Sequence, residues 1–146
     1  MESRDCTELK VKPVLYVEDD GDDVFFMRRA FDKVGVGHPL VLVPDGQEAI
    51  HYLSGTGKYA DREEYPLPCL VLLDLKLPRK TGLEVLQWIR RKPAFQNLLV
   101  AVMTSSNNIL DIDQAYGLGA NAYSVKPTTQ EKLVEMVRNL KERFLT

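Results

Sequence analysis

The chain alternates short apolar runs with longer segments in which apolar residues recur every three or four positions. The apolar runs contain few polar residues, which is typical of strands buried on both faces of a sheet. The segments between them have the spacing of helices with one apolar face. The predicted strands are 14–17, 40–43, 69–73, 98–103 and 122–125. The predicted helices are 21–34, a segment after Asp45, a segment from Thr81 to before Pro93, 107–118 and 128–144.

A strand followed by a helix, repeated five times, predicts an α/β fold with parallel strands joined by right-handed crossovers. The expected architecture is a (βα)5 doubly wound five-stranded parallel sheet. The length of 146 residues suits one domain. We therefore expect an N-terminal extension over residues 1–12 and one domain over residues 13–146, with no output domain. The polar Gly55–Pro68 segment is predicted to be a loop, and the sequence assigns it no role.

The composition excludes several classes of protein. Lysine and arginine total 19 and aspartate and glutamate total 21, so the net charge is −2. This balance argues against a basic nucleic-acid-binding module. No apolar run approaches the ~18 residues of a membrane span, and the first residues lack the apolar stretch of a signal peptide. We expect a cytoplasmic protein with neither a nucleic acid nor a membrane as its partner.

Polar residues of compatible chemistry follow four of the predicted strands. They are Glu18, Asp19 and Asp20 after the first strand, Asp74 after the third, Thr104 and Ser105 after the fourth, and Lys126 after the fifth. Ligands of open α/β sheets bind beyond the carboxyl ends of the strands. Carboxylates gathered there repel one another unless a cation joins them, and Mg²⁺ prefers oxygen ligands. The set suits an aspartate nucleophile in phosphoryl transfer, with Lys126 and Thr104 holding the phosphoryl group.

Helix capping is the simpler explanation for some of these residues. Asp20 and Asp22 precede or begin a helix, and we favour capping for both. Thr104 stands in a Thr-Ser-Ser run before a helix, so a capping role is an alternative for it. For Asp74, Asp19 and Lys126 we favour a functional role.

At these residues the sequence resembles the receiver domain of two-component response regulators. The resemblance extends over about residues 13–144 and depends on four parts in a fixed order. They are Val17-Glu18-Asp19, the stretch from Val71 to Pro78 with Gly82 four residues on, Met103-Thr104-Ser105, and Lys126-Pro127. The resemblance implies a flavodoxin-like receiver fold.

The resemblance also implies roles for the acidic residues. Asp74 matches the aspartate that accepts a phosphoryl group from the phosphohistidine of a sensor histidine kinase. Glu18 and Asp19 match the acidic pair that holds Mg²⁺, Asp19 directly and Glu18 through water. Asp74 and the backbone carbonyl of Lys76 complete the implied metal ligands.

Three further positions match residues of the family that respond to the phosphoryl group, and a fourth matches a proline after the fifth strand. Thr104 matches the hydroxyl that reaches toward it, and Lys126 matches the lysine that pairs with it. Tyr123 matches the aromatic switch position that moves with Thr104, although a half-buried strand aromatic is an alternative reading. The bond before Pro127 is expected to be cis.

Two segments are similar to the stand-alone regulators that serve phytochrome-type sensor kinases. They are the Gly55–Pro68 insertion and the acidic run Glu18-Asp19-Asp20-Gly21-Asp22-Asp23. A phytochrome-type kinase is therefore a candidate partner. The expected output surface comprises the fourth helix, the fifth strand and the fifth helix, through which a homodimer could form. The sequence does not name the downstream target.

The predicted function is that of a single-domain response regulator in a two-component phosphorelay, which is not an enzyme beyond its own phosphotransfer and dephosphorylation. One alternative is a Mg²⁺-dependent phosphatase with an aspartate nucleophile. Such an enzyme would need a carboxylate as general acid two residues after the nucleophile, where this chain has Lys76. The other alternative is a receiver-like adaptor that is never phosphorylated.

Overall fold

The computed structural model describes residues 11–145, and five parallel strands form one sheet in the order β2-β1-β3-β4-β5. The strands are β1 (Val14–Val17), β2 (Leu40–Val43), β3 (Leu70–Leu73), β4 (Leu99–Thr104) and β5 (Ala122–Val125). The helices are α1 (Gly21–Val34), α2 (Gly46–Ser54), α3 (Gly82–Arg91), α4 (Ile109–Gly117) and α5 (Gln130–Phe144). Short 3₁₀ turns lie at Gly57–Tyr59 and Pro93–Phe95. The predicted (βα)5 fold is confirmed. Residues 1–10, most of the predicted extension, lie outside the described residues.

Helices cover both faces of the sheet, as the doubly wound prediction requires. Alternate residues of β1 show the division, because Leu15 packs with α2, α3 and α4 while Tyr16 packs with α1 and α5. Both β1 side chains are almost fully buried. A sheet covered on both faces explains why the strands are apolar throughout.

Side-chain caps set where the helices begin. Asp20 accepts hydrogen bonds from the backbone of the first turn of α1, which confirms its predicted capping role. Asp45 caps α2, and Thr81 forms a capping box with Glu84 at the start of α3. Asn108 caps α4, which therefore begins at Ile109 rather than at residue 107.

The strand boundaries differ by one residue at two places. The third strand begins at Leu70 rather than residue 69, and the fourth covers Leu99–Thr104 rather than 98–103. Thr104 belongs to the strand because it pairs with Val125 of β5. Among residues 11–145 no helix is both long and apolar enough to cross a membrane.

The Gly55–Pro68 segment is packed against α2 by a buried aromatic cluster. The rings of Tyr52, Tyr59 and Tyr65 lie with their centroids 5.1 to 6.1 Å apart. The hydroxyl of Tyr59 donates to Glu48 of α2 at 2.7 Å. The predicted loop is thus packed against the rest of the domain.

Arg62 fixes the same segment to the end of α2. Its guanidinium donates to the carbonyl oxygens of Tyr52 at 2.8 Å, Tyr65 at 3.1 Å and Leu53 at 2.8 Å. The last carbonyls of a helix have no partner within the helix. Arg62 supplies that partner and joins the segment to the core at the same time.

Candidate functional site

The ammonium group of Lys126 joins carboxylates that follow two different strands. Its Nζ lies 2.9 Å from Glu18, which follows β1, and 3.1 Å from Asp74, which follows β3. It also lies 2.7 Å from Asp23 of α1. Thr104 ends β4, which lies between β3 and β5 in the sheet, and is fully buried. The structure therefore brings Glu18, Asp74 and Lys126 together, as the strand-end argument predicted.

Negative charge exceeds positive charge in this cluster. Glu18, Asp19, Asp23 and Asp74 bring four carboxylates, and among the described residues Lys126 is the cation paired with them. Burial raises the pKa of Glu18 to about 7, and the charge of Asp74 adds to this effect despite the bond to Lys126. A further cation would relieve this repulsion.

The pKa values of Lys126 and Tyr16 are shifted by the same carboxylates. Burial acts to lower the pKa of Lys126, but hydrogen bonds to Asp23, Glu18 and Asp74 outweigh it and raise that pKa above its usual value. Lys126 is therefore charged at neutral pH. Burial and the charge of Glu18 raise the pKa of Tyr16, whose hydroxyl donates to Glu18 at 3.4 Å.

Asp23 is the residue of this cluster to which the sequence assigned no role. It lies in the first turn of α1, three residues after the cap Asp20. The signal for it in the sequence is that this turn follows closely after the acidic residues at the end of β1. The orientation of α1 on the sheet, which aims the Asp23 carboxylate at Lys126, was not available from the spacing alone.

Backbone contacts hold the Asp74 carboxylate in place. Its Oδ1 accepts the backbone N–H of Lys76 at 3.1 Å, and its Oδ2 accepts Lys126. Gly82 packs directly against the backbone of Asp74, because a Cβ added there would lie 2.1 Å from the Asp74 carbonyl oxygen. The Gly82 N–H also donates to the Leu75 carbonyl at 2.9 Å. The glycine of the motif is therefore needed for a close approach of two backbones.

The loop after β4 links Thr104 to Tyr123. The Ser106 N–H donates to Thr104 Oγ1 at 3.5 Å, and the Tyr123 hydroxyl donates to the Ser106 carbonyl at 2.8 Å. Tyr123 is half-buried and packs against the core. Because Asn108 caps α4, the structure does not support the capping alternative for Thr104.

The predicted cis bond before Pro127 is wrong. Every peptide bond among residues 11–145 is trans. The two forms of an X–Pro bond differ by only about 0.5–1 kcal/mol, so local sequence does not decide between them. The Lys126 N–H donates to the Thr104 carbonyl at 2.7 Å, and α5 begins three residues after Pro127 with Thr129 as its cap. The chain reaches α5 with a trans bond.

The acidic cluster fits a hard divalent cation. Oxygen atoms of Glu18, Asp19 and Asp74 all lie within 4.8 Å of one another. All three ligands are carboxylate oxygens, the type that Mg²⁺, Mn²⁺ and Ca²⁺ prefer. The exposed Asp19 leaves the cluster open to solvent on one side. The excess negative charge and the carboxylate oxygens are both suited to a metal ion bound through oxygen.

Comparison with known proteins decides the family. The family model for the response regulator receiver domain matches residues 14–138. The chain belongs to the response regulator receiver domain family. This receiver domain is 34% identical to the response regulator Rcp1 of Synechocystis sp. over 134 residues, which cover 92% of this chain and 89% of Rcp1.

Solved structures support the same assignment. The phosphorylated cyanobacterial phytochrome response regulator RcpA superposes with a TM-score of 0.86 at 36% identity, over 94% of this chain and 96% of RcpA. The Mn²⁺-bound form of Rcp1 superposes with a TM-score of 0.82 at 34% identity, over 92% of this chain and 94% of the Rcp1 chain. Response regulators receive phosphoryl groups from sensor kinases, and receiver domains bind a divalent metal. The chain is therefore a receiver of a two-component system.

Proposed function

We propose that this receiver accepts a phosphoryl group on Asp74 from a sensor histidine kinase, with Mg²⁺ bound, and signals by a change of conformation. The observation that carries the proposal is the buried Asp74 carboxylate in contact with Lys126 and clustered with Glu18 and Asp19. A nucleophile, a cation for the phosphoryl oxygens and a metal-binding donor set occur together at one edge of the sheet.

The proposed transfer is a displacement at phosphorus. A carboxylate oxygen of Asp74 forms a bond to phosphorus, the bond from phosphorus to the kinase histidine breaks, and the electron pair returns to that imidazole nitrogen. Lys126 then binds a phosphoryl oxygen, and the Thr104 hydroxyl donates to another. Lys126 is already held beside Asp74, so little rearrangement is needed to reach the product.

Glu18, Asp19, Asp74 and the Lys76 carbonyl would hold the metal. When bound, Mg²⁺ supplies positive charge against the negative charge that develops on the phosphoryl oxygens. The Lys76 N–H holds Asp74 Oδ1 in the free protein, which keeps the carboxylate oriented. Mg²⁺ is chosen over other hard cations because it is usually held by one or two carboxylates together with substrate phosphate.

The proposed output surface carries exposed apolar side chains. Ile109 and Leu110 in the first turn of α4 are 69% and 67% exposed, and Tyr116 and Val125 lie on α4 and β5. Lys132, Glu135 and Arg138 of α5 are also exposed. We expect a homodimer through α4, β5 and α5 that strengthens on phosphorylation. Sedimentation velocity of the phosphorylated protein, with Ile109→Ser as the variant, tests this directly.

We expect the kinase partner to be of the phytochrome type. The similarity to RcpA, described as a cyanobacterial phytochrome response regulator, supports this choice. The test is phosphotransfer from a purified phytochrome-type kinase and from an unrelated sensor kinase under the same conditions. Equal transfer from both kinases would contradict the choice.

The position of Lys76 favours a phosphoacceptor over an enzyme. An aspartate-nucleophile phosphatase would place a general acid two residues after Asp74, where this chain has an exposed lysine. Turnover of external phosphoesters is therefore not expected. A receiver-like adaptor would have no use for the clustered carboxylates, because uncompensated buried charge costs stability.

The decisive experiment is incubation with acetyl phosphate and Mg²⁺, followed by intact mass measurement. We expect a gain of one phosphoryl group that disappears in Asp74→Asn and in EDTA. Asp22→Asn, an exposed acid of the same run, is the matched control and is expected to behave as the wild type. No mass gain in the wild type would contradict the proposal. Repeated hydrolysis of p-nitrophenyl phosphate would support the phosphatase instead.

A further inference from the structure

Ser106 is the point at which four contacts of the switch region meet. Its N–H donates to Thr104 Oγ1 at 3.5 Å, and its carbonyl accepts the Tyr123 hydroxyl at 2.8 Å. Its hydroxyl donates to the Asp111 carboxylate at 2.6 Å and accepts the Asn108 N–H at 3.2 Å. Ser106 is buried, and its bonds to Asp111, Asn108 and Tyr123 are part-buried.

The bond to Asp111 is the one that ties the loop to α4. Asp111 lies in the first turn of that helix, where a negative charge is favourable. A hydroxyl donating to a carboxylate at 2.6 Å has the short distance of a charge-assisted hydrogen bond, which is stronger than a neutral one. A shift of Ser106 must therefore move the start of α4 or break this bond.

We propose that Asp111 is a positioning residue of the switch. By holding the Ser106 hydroxyl, it makes the start of α4 move with the Ser106 backbone, which links Thr104 to Tyr123. The inference rests on the proposed phosphorylation of Asp74, because the switch is driven from that site. Without the Asp111 bond, Thr104 binds the phosphoryl group and Tyr123 still responds through the Ser106 backbone, but α4 no longer follows.

The test separates the response at Tyr123 from the response of α4, which carries Tyr116. The protein is labelled with 3-fluorotyrosine, and the Tyr116 and Tyr123 resonances are assigned by their absence in Tyr116→Phe and Tyr123→Phe. Beryllofluoride with Mg²⁺ serves as the probe for the phosphoryl group. In the wild type we expect both resonances to shift on saturation. In Asp111→Ala we expect the Tyr116 shift to be lost and the Tyr123 shift to remain, while the affinity for beryllofluoride changes by less than about tenfold.

Three further variants distinguish coupling from a general loss of stability. Ser106→Ala breaks the same bond from the other side and is expected to reproduce the loss, including if Asp111→Ala does not fold. Asp111→Asn keeps an acceptor oxygen and is expected to retain the Tyr116 shift. Asp113→Asn removes an exposed acid of the same helix and is expected to behave as the wild type.

Each outcome has a distinct meaning. A full Tyr116 shift in both Asp111→Ala and Ser106→Ala would overturn the inference while leaving the proposed function intact. A loss of beryllofluoride affinity of more than about tenfold in these variants would also overturn it, because Asp111 would then act on the site itself. If the wild type is not phosphorylated by acetyl phosphate, the proposed function fails and the inference fails with it.

Discussion

Glu18 and Glu48 are both glutamates that accept a tyrosine hydroxyl and lie beside a lysine. Glu18 has Tyr16 at 3.4 Å and Lys126 at 2.9 Å, whereas Glu48 has Tyr59 at 2.7 Å and Lys58 at 4.0 Å. Their pKa values nevertheless move in opposite directions. Burial raises the pKa of Glu18 to about 7, while the hydrogen bond from Tyr59 lowers the pKa of Glu48 below its usual value.

The difference lies in burial and in the neighbouring charges. The Glu18 side chain is 1% exposed and faces Asp74, while the Glu48 side chain is 29% exposed. Ionisation of Glu18 in the strand-end site (Glu18, Asp19, Asp23, Asp74 and Lys126) thus opposes folding at neutral pH even with Lys126 beside it. The hydrogen bond from Tyr59 of the Gly55–Pro68 segment to Glu48 supports folding. Binding sites and structural segments can use the same residue types with opposite effects on stability.

The largest expected effect is the loss of Lys126, compared with the loss of Lys58 beside Glu48. Lys126→Met leaves the buried Glu18 and Asp74 without their cation and is expected to lower the free energy of unfolding by about 3–5 kcal/mol in EDTA. Lys58→Met removes an exposed lysine and is expected to cost at most about 1 kcal/mol. Urea denaturation of both variants checks this. Equal losses would remove the contrast between the two regions.

The pH dependence of stability provides the next test, in EDTA. The Glu18 pKa rises from 4.5 when unfolded to about 7 when folded, so the folded state binds more protons between these values. Stability is therefore expected to fall by about 3 kcal/mol as pH rises from 4.5 to 7. The Glu48 pKa is lowered in the folded state, so the ionised Glu48 stabilises the fold above its unfolded pKa. This stabilisation is lost as the pH falls through the folded pKa.

Two variants test which glutamate causes the change in stability in each pH range. Glu18→Gln is expected to abolish the fall above pH 4.5, and Glu48→Gln is expected to leave that fall and to reduce the loss in acid. Chemical denaturation at a series of pH values measures both. If Glu18→Gln leaves the slope unchanged, the repulsion assigned to the strand-end site is absent.

A smaller effect is expected from Arg62→Ala in the Gly55–Pro68 segment. Three carbonyl oxygens lose a charged donor, and we expect a cost of about 2 kcal/mol. Because the strand-end site is untouched, phosphorylation by acetyl phosphate should continue at the wild-type rate. Arg29→Ala, an exposed arginine of α1, is the control. A loss of phosphorylation in folded Arg62→Ala would show that the segment contributes to the site.

The smallest expected effect is that of Tyr59→Phe. The variant keeps the ring in the tyrosine cluster and removes the hydroxyl that donates to Glu48, at a cost of about 1 kcal/mol. The pKa of Glu48 should rise toward its usual value, which NMR titration of its carboxyl carbon would detect. Tyr65→Phe keeps the corresponding ring and is the matched control. An unchanged Glu48 pKa would mean that Tyr59 is not the cause of its shift.

The sequence was sufficient for the sheet and for most of the candidate site. Strands buried on both faces are apolar throughout, so β1 and β3 were visible as unbroken runs, and an acidic residue directly follows each of them. Parallel strands bring their carboxyl ends to one edge, which is why Glu18, Asp74 and Lys126 could be grouped before any distance was known.

Features that depend on helix orientation or on long-range contacts could not be predicted in this way. The contact of Asp23 with Lys126 depends on how α1 lies on the sheet. Arg62 binds carbonyls up to ten residues away, which no local pattern reveals. The trans bond at Pro127 is decided by a small energy difference, and the resemblance to the family gave the wrong isomer.

The central claim is that Asp74, and none of the acids around it, accepts the phosphoryl group. Borohydride reduces an acyl phosphate to an alcohol, so treatment of the phosphorylated protein converts the modified aspartate to homoserine, which peptide mass spectrometry locates. The account predicts homoserine at residue 74 in protein treated with acetyl phosphate and Mg²⁺, and its absence in EDTA. Homoserine at Asp19 or Asp23, or at no residue, would contradict it.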